Sequence, residues 1–258
     1  MLIDEKTLYH LLVPLKVDFP HSLNTGFSVR NVLVEVTAEN GEVRGYGEGA
    51  PRLYVTGESQ TSVSNSIAHF TRARYFPWEL VAVSQIWDFI DHLPDEKIHN
   101  SALCALEGAL LDALGRHDNQ YVLNYFPKDY ASNSFFYGAA LPLADKEKVL
   151  KFCRLIKGGG INKLKLKLGK DFNENKIIFE SVHSSFGKHC DLKVDVNGVW
   201  SSDIVMKHLP LFQKYGVRVL EQPVQPGDPQ IAEIANIAKK SGLVLMADES
   251  ACTLADVQ

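Results

Sequence analysis

The chain has 258 residues, 45% of them apolar and 22% charged, with a formal net charge of -4. That balance is ordinary for a globular protein, and the length suffices for one large domain or a barrel-like domain with a smaller companion. Mild acidity without a basic run argues against a nucleic-acid partner, and no stretch reads as a membrane span or a signal peptide.

Residues 8–17 and 30–37 read as strands, the second with clear alternation. Asn40-Gly41 is a two-residue hairpin signal that returns the chain as a third strand over 42–47. Helical segments follow near 62–75 and 83–92. A long apolar helix then spans 100–116, interrupted by Glu107 and Asp112, which are expected to be buried structural groups. This small sheet followed by helices reads as an α+β capping domain over residues 1–130.

The rhythm then changes. Strands at 135–143, 163–168, 192–196, 217–220 and 243–247 alternate with helices at 145–156, 173–186, 202–215 and 228–240, and Thr253 opens a further helix. Glycines at 158–160, 187, 216 and 242 supply the turns that end the helices. Strict alternation implies a parallel sheet. Residues 131–258 therefore read as an α/β domain, five strands of an incomplete TIM-type (β/α) barrel, where closure needs about eight. Two open sheet edges are expected, and with them poor stability or a need for a covering partner.

In such a barrel the chemistry sits at the C-terminal strand ends. Lys165 and Lys167 end the second strand, Asp195 the third, Glu221 the fourth and Asp248 the fifth. Residues two apart on a strand share a face, so both lysines point inward. Adjacent strands lie about 4.8 Å apart, so three acids at successive tips can converge on one hard cation, magnesium or manganese rather than zinc. A lysine beside a second ammonium and a cation is suited to remove a proton α to a carboxylate.

Lys165-Leu-Lys167-Leu-Gly, Asp195-x-Asn197, Glu221-Gln-Pro and Ala247-Asp248-Glu249-Ser250, in that order, resemble the muconate-lactonizing-enzyme subgroup of the enolase superfamily. The segment 45–59 and the helix 102–115 are similar to its dipeptide epimerases. The resemblance implies a cytoplasmic, Mg2+-dependent isomerase of dipeptides or acyl amino acids, acting through an enediolate on a small carboxylate substrate. It implies Lys167 as base, Lys165 as its electrostatic assistant, and Asp195, Glu221 and Asp248 as metal ligands. Asn197 and Glu249 would support them, and loops bearing Asn24, Tyr54 and Thr56 would close over the substrate. The family's dipeptide epimerases acting on glutamate carry an arginine where this chain has Asn24. The opposite-face lysine of the sixth strand and the acidic motif of the eighth fall beyond Gln258. Two-base epimerisation by this stretch alone is therefore not expected. The alternatives are a muconate-type cycloisomerase, an o-succinylbenzoate-type dehydratase, and an inactive fragment. Association into a homo-oligomer stays open.

The remaining signals are bland. His21 and His189 have no metal-ligand partners at useful spacing and fit surface or packing roles. Glu48 and Glu58 are structural or substrate-facing. The four cysteines, Cys104, Cys153, Cys190 and Cys252, form no C-x-x-C pair and read as reduced, mostly buried thiols.

Overall fold

The computed structural model describes residues 1–15, 28–127 and 134–258. They gather into two compact units, one of residues 1–15, 28–127 and 252–258, the other of residues 134–251. Asn24 and His21 lie outside the described residues. Among those described, no helix is long and apolar enough to cross a membrane.

In the first unit β1 (Ile3–Pro14), β2 (Ser28–Ala38) and β3 (Val43–Gly49) form an antiparallel sheet in that order. Val32, Val34 and Val36 alternate into the core, as the two-residue period of a half-buried strand requires. Three helices follow, α1 (Gln60–Phe70), α2 (Ser84–Asp91) and α3 (Asn100–His117). A capping box opens α1: the Ser59 hydroxyl accepts from Ser62 N, and the Ser62 hydroxyl from Ser59 N. Glu58, 1% exposed, sits at the start of α3, where its carboxylate accepts from Ser101 N at 3.0 Å and Ser101 Oγ at 2.6 Å. A buried anion there satisfies a helix N-terminal donor and meets the positive end of the helix. That makes Glu58 structural. Glu48 is exposed and accepts from Asn31.

Two expectations for this unit need correction. The β2–β3 connection is not a two-residue turn but spans residues 39–42, closed by the Ala38↔Val43 pair. Glu39, Asn40 and Gly41 all have positive φ (53°, 57° and 84°), and Gly41 N–H serves both Ala38 O and Asp4 Oδ2. Glu107 and Asp112 are half-buried rather than buried. Asp112 accepts from Tyr46 N and Arg116 Nε, both at 2.9 Å, and burial pushes the Glu107 carboxyl up, with Asp91 adding to it.

The second unit is a five-stranded parallel sheet ordered β4 (Ala139–Leu141), β5 (Lys163–Lys167), β6 (Asp191–Asp195), β7 (Val217–Glu221), β8 (Val244–Met246). The helices α4 (Lys146–Gly158), α5 (Phe172–Phe186), α6 (Ser202–Tyr215) and α7 (Gln230–Ser241) alternate with the strands. This is the incomplete (β/α) barrel preceded by an α+β cap. Gly216 and Gly242 end α6 and α7 in the left-handed conformation. Leu164, Leu166, Leu192, Val194 and Leu220 are buried in one core with Val149, Ile178, Phe179 and Phe212. A second buried group is polar. The Asn175 amide clasps Gly169 through N (3.1 Å) and O (2.8 Å), Trp200 Nε1 donates to the same oxygen, and Asn175 Nδ2 reaches His208 Nε2 at 3.0 Å.

Three features of this unit differ from expectation. The first strand of this sheet shrinks from 135–143 to Ala139–Leu141, because it pairs on one side only and Phe135, Phe136 and Tyr137 lie exposed before it. No helix opens at Thr253. Turns form instead, with Asp256 accepting from Cys252 N and Thr253 N. Of the cysteines only Cys153 is buried, Cys190 and Cys252 being intermediate and Cys104 exposed on α3.

Candidate active site

The residues of β5 read Lys-Leu-Lys-Leu-Lys. Alternation sends the leucines to the helix-side core and leaves the lysines on the concave face. The parallel register then aligns the chemistry in one row: Lys167 pairs with Asp195, and Asp195 with Glu221. Lys165 sits one step back on the same face. Asp248 lies two residues beyond Met246, the partner of Glu221 and the last residue of β8.

Asp195, Glu221 and Asp248 each offer a carboxylate oxygen within 4.8 Å of the others. Asp195 is fully buried and Glu221 4% exposed, whereas Asp248 is open to solvent. Lys165 Nζ donates to Glu221 Oε1 at 2.8 Å and lies 3.3 Å from Asp195 Oδ2. Lys167 Nζ lies 2.5 Å from that same Asp195 oxygen and donates to Asn197 Oδ1 at 2.9 Å. Asn197 N donates to Asp195 Oδ1, and Asn197 Nδ2 to Glu249 Oε1 at 2.9 Å, so Asn197 and Glu249 brace the lysine from behind. A cavity of about 650 Å³ opens beside Lys165 and Glu221.

The electrostatics divide the acids. Burial works to raise the Asp195 carboxyl, but Lys167, Asn197 N–H and Lys165 together hold it below the usual carboxylate range. Burial raises Glu221, Lys165 opposes it, and the negative charges of Asp195 and Asp248 add to the rise. Burial works to lower Lys165, yet Glu221 and Asp195 hold it above the ordinary lysine value. The donor set therefore fits a divalent cation: it consists of oxygens only, and it crowds negative charges whose mutual repulsion a cation relieves. A cation would draw on the oxygens that now accept from Lys165 and Lys167.

Of the loop residues, Tyr54 is exposed, and Thr56 turns its hydroxyl onto buried Glu58 at 2.7 Å. Both belong to the first unit. Sequence reasoning gave no role to Gln222, although it stands between Glu221 and Pro223. The signal available was a glutamine directly after a strand-end acid, where a polar side chain must be buried and therefore bonded. It is 3% exposed.

Residues 148–258 match the family described as Enolase C-terminal domain-like. The chain is 28% identical over 253 residues to an L-Ala-D/L-Glu epimerase of Bacillus subtilis (strain 168), covering 94% of this chain and 65% of that protein. It is 27% identical over 245 residues to an N-succinyl-L-Arg/Lys racemase of Bacillus cereus, covering 94% and 64%. Its fold is that of a dipeptide epimerase from Enterococcus faecalis V583 complexed with Mg and L-Leu-L-Tyr, with a TM-score of 0.80 at 22% identity over 97% of this chain and 69% of that one. The chain thus spans slightly less than two thirds of the length of the two curated relatives.

Proposed function

We propose that this chain, whose residues 148–258 form an enolase C-terminal domain-like stretch and which as a whole resembles the dipeptide epimerases and racemases of that superfamily, carries the base and the metal ligands of an isomerase acting on dipeptides. The reaction is removal of the proton α to a carboxylate, leaving an enediolate.

The observation that carries this reading is the row Lys167–Asp195–Glu221, completed by Asp248, on one face of one sheet. Asp195, Glu221 and Asp248 would hold Mg2+, with Mn2+ as a substitute. Such a cation, when bound, supplies charge stabilisation for the developing enediolate. Lys167 takes the α-proton at Nζ. Lys165 shares an Asp195 oxygen with it, so the two amines and the first acid form one cluster. Asn197 fixes the direction of the Lys167 amine, and Glu249 fixes Asn197. On the resemblance alone, substrate preference is proposed for the stretches of sequence that carry Asn24 and Tyr54. Thr56 spends its hydroxyl on Glu58, which leaves it a supporting part in the same loop.

The test is loss of the substrate α-proton signal in D2O, by NMR, with Mg2+ and a panel of dipeptides including L-Ala-L-Glu. Wild type is expected to wash in deuterium on at least one face, and Lys167→Ala to abolish this on the face it serves. Exchange retained in Lys167→Ala moves the base elsewhere. Absence of exchange in the wild type with every dipeptide, alongside exchange with an acyl amino acid, replaces the dipeptide reading.

A further inference from the structure

We infer that Gln222 is a positioning residue that holds Asp248 in the metal-binding trio. The inference rests on the cation site proposed above. Asp195 and Glu221 are the last residues of their strands, so the backbone ladder fixes them. Asp248 is not so placed: β8 ends at Met246. What reaches Asp248 is the side chain of Gln222. Its Oε1 accepts from Asp248 N at 2.9 Å and from Ser250 N at 3.1 Å. Its Nε2 donates to Val224 O at 2.8 Å and Ser250 Oγ at 2.6 Å. All four bonds a primary amide can make are made.

The main chain of the same residue completes the stitch. Gln222 N donates to Met246 O at 2.9 Å, on the β8 side, and Gln222 O accepts from Gly198 N at 2.7 Å, on the β6 side. One residue therefore ties together the ends of the three strands that bear the acids. The position is conformationally costly. Gln222 has φ of 40°, in the left-handed region that side chains other than Asn, Asp and Gly rarely adopt. Asparagine would suit that backbone better, but is one methylene too short to span to Asp248 and Ser250. A glutamine at this φ is explained by its reach.

That conflict supplies the experiment. Mn2+ binding is titrated by EPR on the purified protein, for wild type, Gln222→Leu, Gln222→Asn, Asp248→Ala and the double variants of each Gln222 change with Asp248→Ala. Thermal unfolding is recorded alongside. Gln222→Leu and Gln222→Asn are expected to weaken Mn2+ by about tenfold or more, the usual scale for an outer partner of a metal ligand. Gln222→Asn should do so with a smaller fall in unfolding temperature than Gln222→Leu, because asparagine suits the backbone angle and stays polar. In the Asp248→Ala background neither change should weaken binding further, because Gln222 acts through that carboxylate. Wild-type affinity in Gln222→Asn, or a loss that adds fully to that of Asp248→Ala, overturns the positioning role. If wild type and Asp248→Ala bind Mn2+ equally, the cation site itself is refuted, and this role with it. Should Gln222→Leu not fold, the Gln222→Asn cycle decides alone.

Discussion

In the first unit the critical contact is between backbones, and in the second it is between charges. Gly45, Gly47 and Gly49 alternate along β3 and lie against α3 where Ser101, Ala105, Ala109 and Ala113 recur every fourth residue. A Cβ on Gly47 would fall 2.0 Å from Ala105 O, one on Gly45 2.2 Å from Ala113 N, and one on Gly49 2.4 Å from Ser101 O. Strand and helix touch with no side chain between them. On β5 of the second unit the alternating positions of one face hold Lys163, Lys165 and Lys167, and the sheet positions Asp195 and Glu221 beside the last two. The same strand geometry serves closeness in one unit and converging chemistry in the other. A change of volume should therefore break the first, and a change of charge the second.

The largest effect is expected from Gly47→Ala. The clash is with backbone atoms of α3, which cannot rotate away, so the strand must move. Overpacking a tight contact costs about 1–3 kcal/mol and more when backbone must shift, so a loss of about 3 kcal/mol is expected in chemical denaturation. A loss below about 0.5 kcal/mol, within the range of ordinary surface changes, would mean that the two elements do not meet as closely as described. The counterpart in the second unit is Asp195→Asn, which keeps volume and removes charge. Mn2+ affinity should fall by more than about 100-fold, since even partners outside the ligand set cost 10–100-fold. Unchanged affinity would remove Asp195 from the site.

A third effect comes from the buried polar group around Gly169. His208 is fully buried and stacked on Trp200 at 4.3 Å. Its Nδ1 faces Ile204 O at 2.8 Å and so carries the proton, while Nε2 accepts from Asn175, which leaves the ring neutral. Burial lowers its pKa below the ordinary 6.5, against the hydrogen bond to Ile204 O, with Lys207 lowering it further and Asp171 opposing. The unfolded chain then takes up a proton at a pH where the folded one does not. Stability from this group is complete above pH about 6.5 and is lost as the pH falls from there through the folded value. Wild type should therefore lose Tm between pH 7 and 5 more steeply than His208→Gln. Equal slopes would show that the ring titrates freely.

Most of the second unit was readable because its signals are local. Leucine–lysine alternation on β5, a glycine after each of α6 and α7, and an acid at the end of β6 and of β7 can each be seen in a short window. What escaped is what depends on distance or on neighbours. Asn175 meets His208 across 33 residues and Gln222 meets Ser250 across 28, and nothing near either residue announces the partner. The Asn40-Gly41 signal is real, but Glu39 joins it at positive φ and the loop widens to residues 39–42. Composition extends the expected strand beyond the observed β4 because three aromatic residues favour strands, whereas strand pairing, which composition does not report, begins only at Ala139.

The smallest effect sharpens the comparison, because it asks whether the second unit depends on ordinary helix chemistry as well as on charge. Asp171 precedes α5 with extended backbone, φ -77° and ψ 122°, and one of its oxygens accepts from Asn173 N at 2.8 Å and Glu174 N at 2.9 Å. These are two of the four N–H groups that the first turn leaves without partners. The carboxylate also faces the positive end of the helix. Its hydrogen bonds all stay within the first turn of α5, and none reaches Asp195, Glu221 or Asp248. Asp171→Ala should therefore cost about 1 kcal/mol, the usual loss of an N-cap, with Mn2+ affinity unchanged. Asp171→Asn should recover most of the stability, since the amide oxygen still accepts and only the dipole contribution is lost. A drop in Mn2+ affinity in either variant would show that the start of α5 and the end of β5 move together, and that the loop between Lys167 and Asp171, clasped at Gly169 by Asn175, transmits helix position to the proposed base.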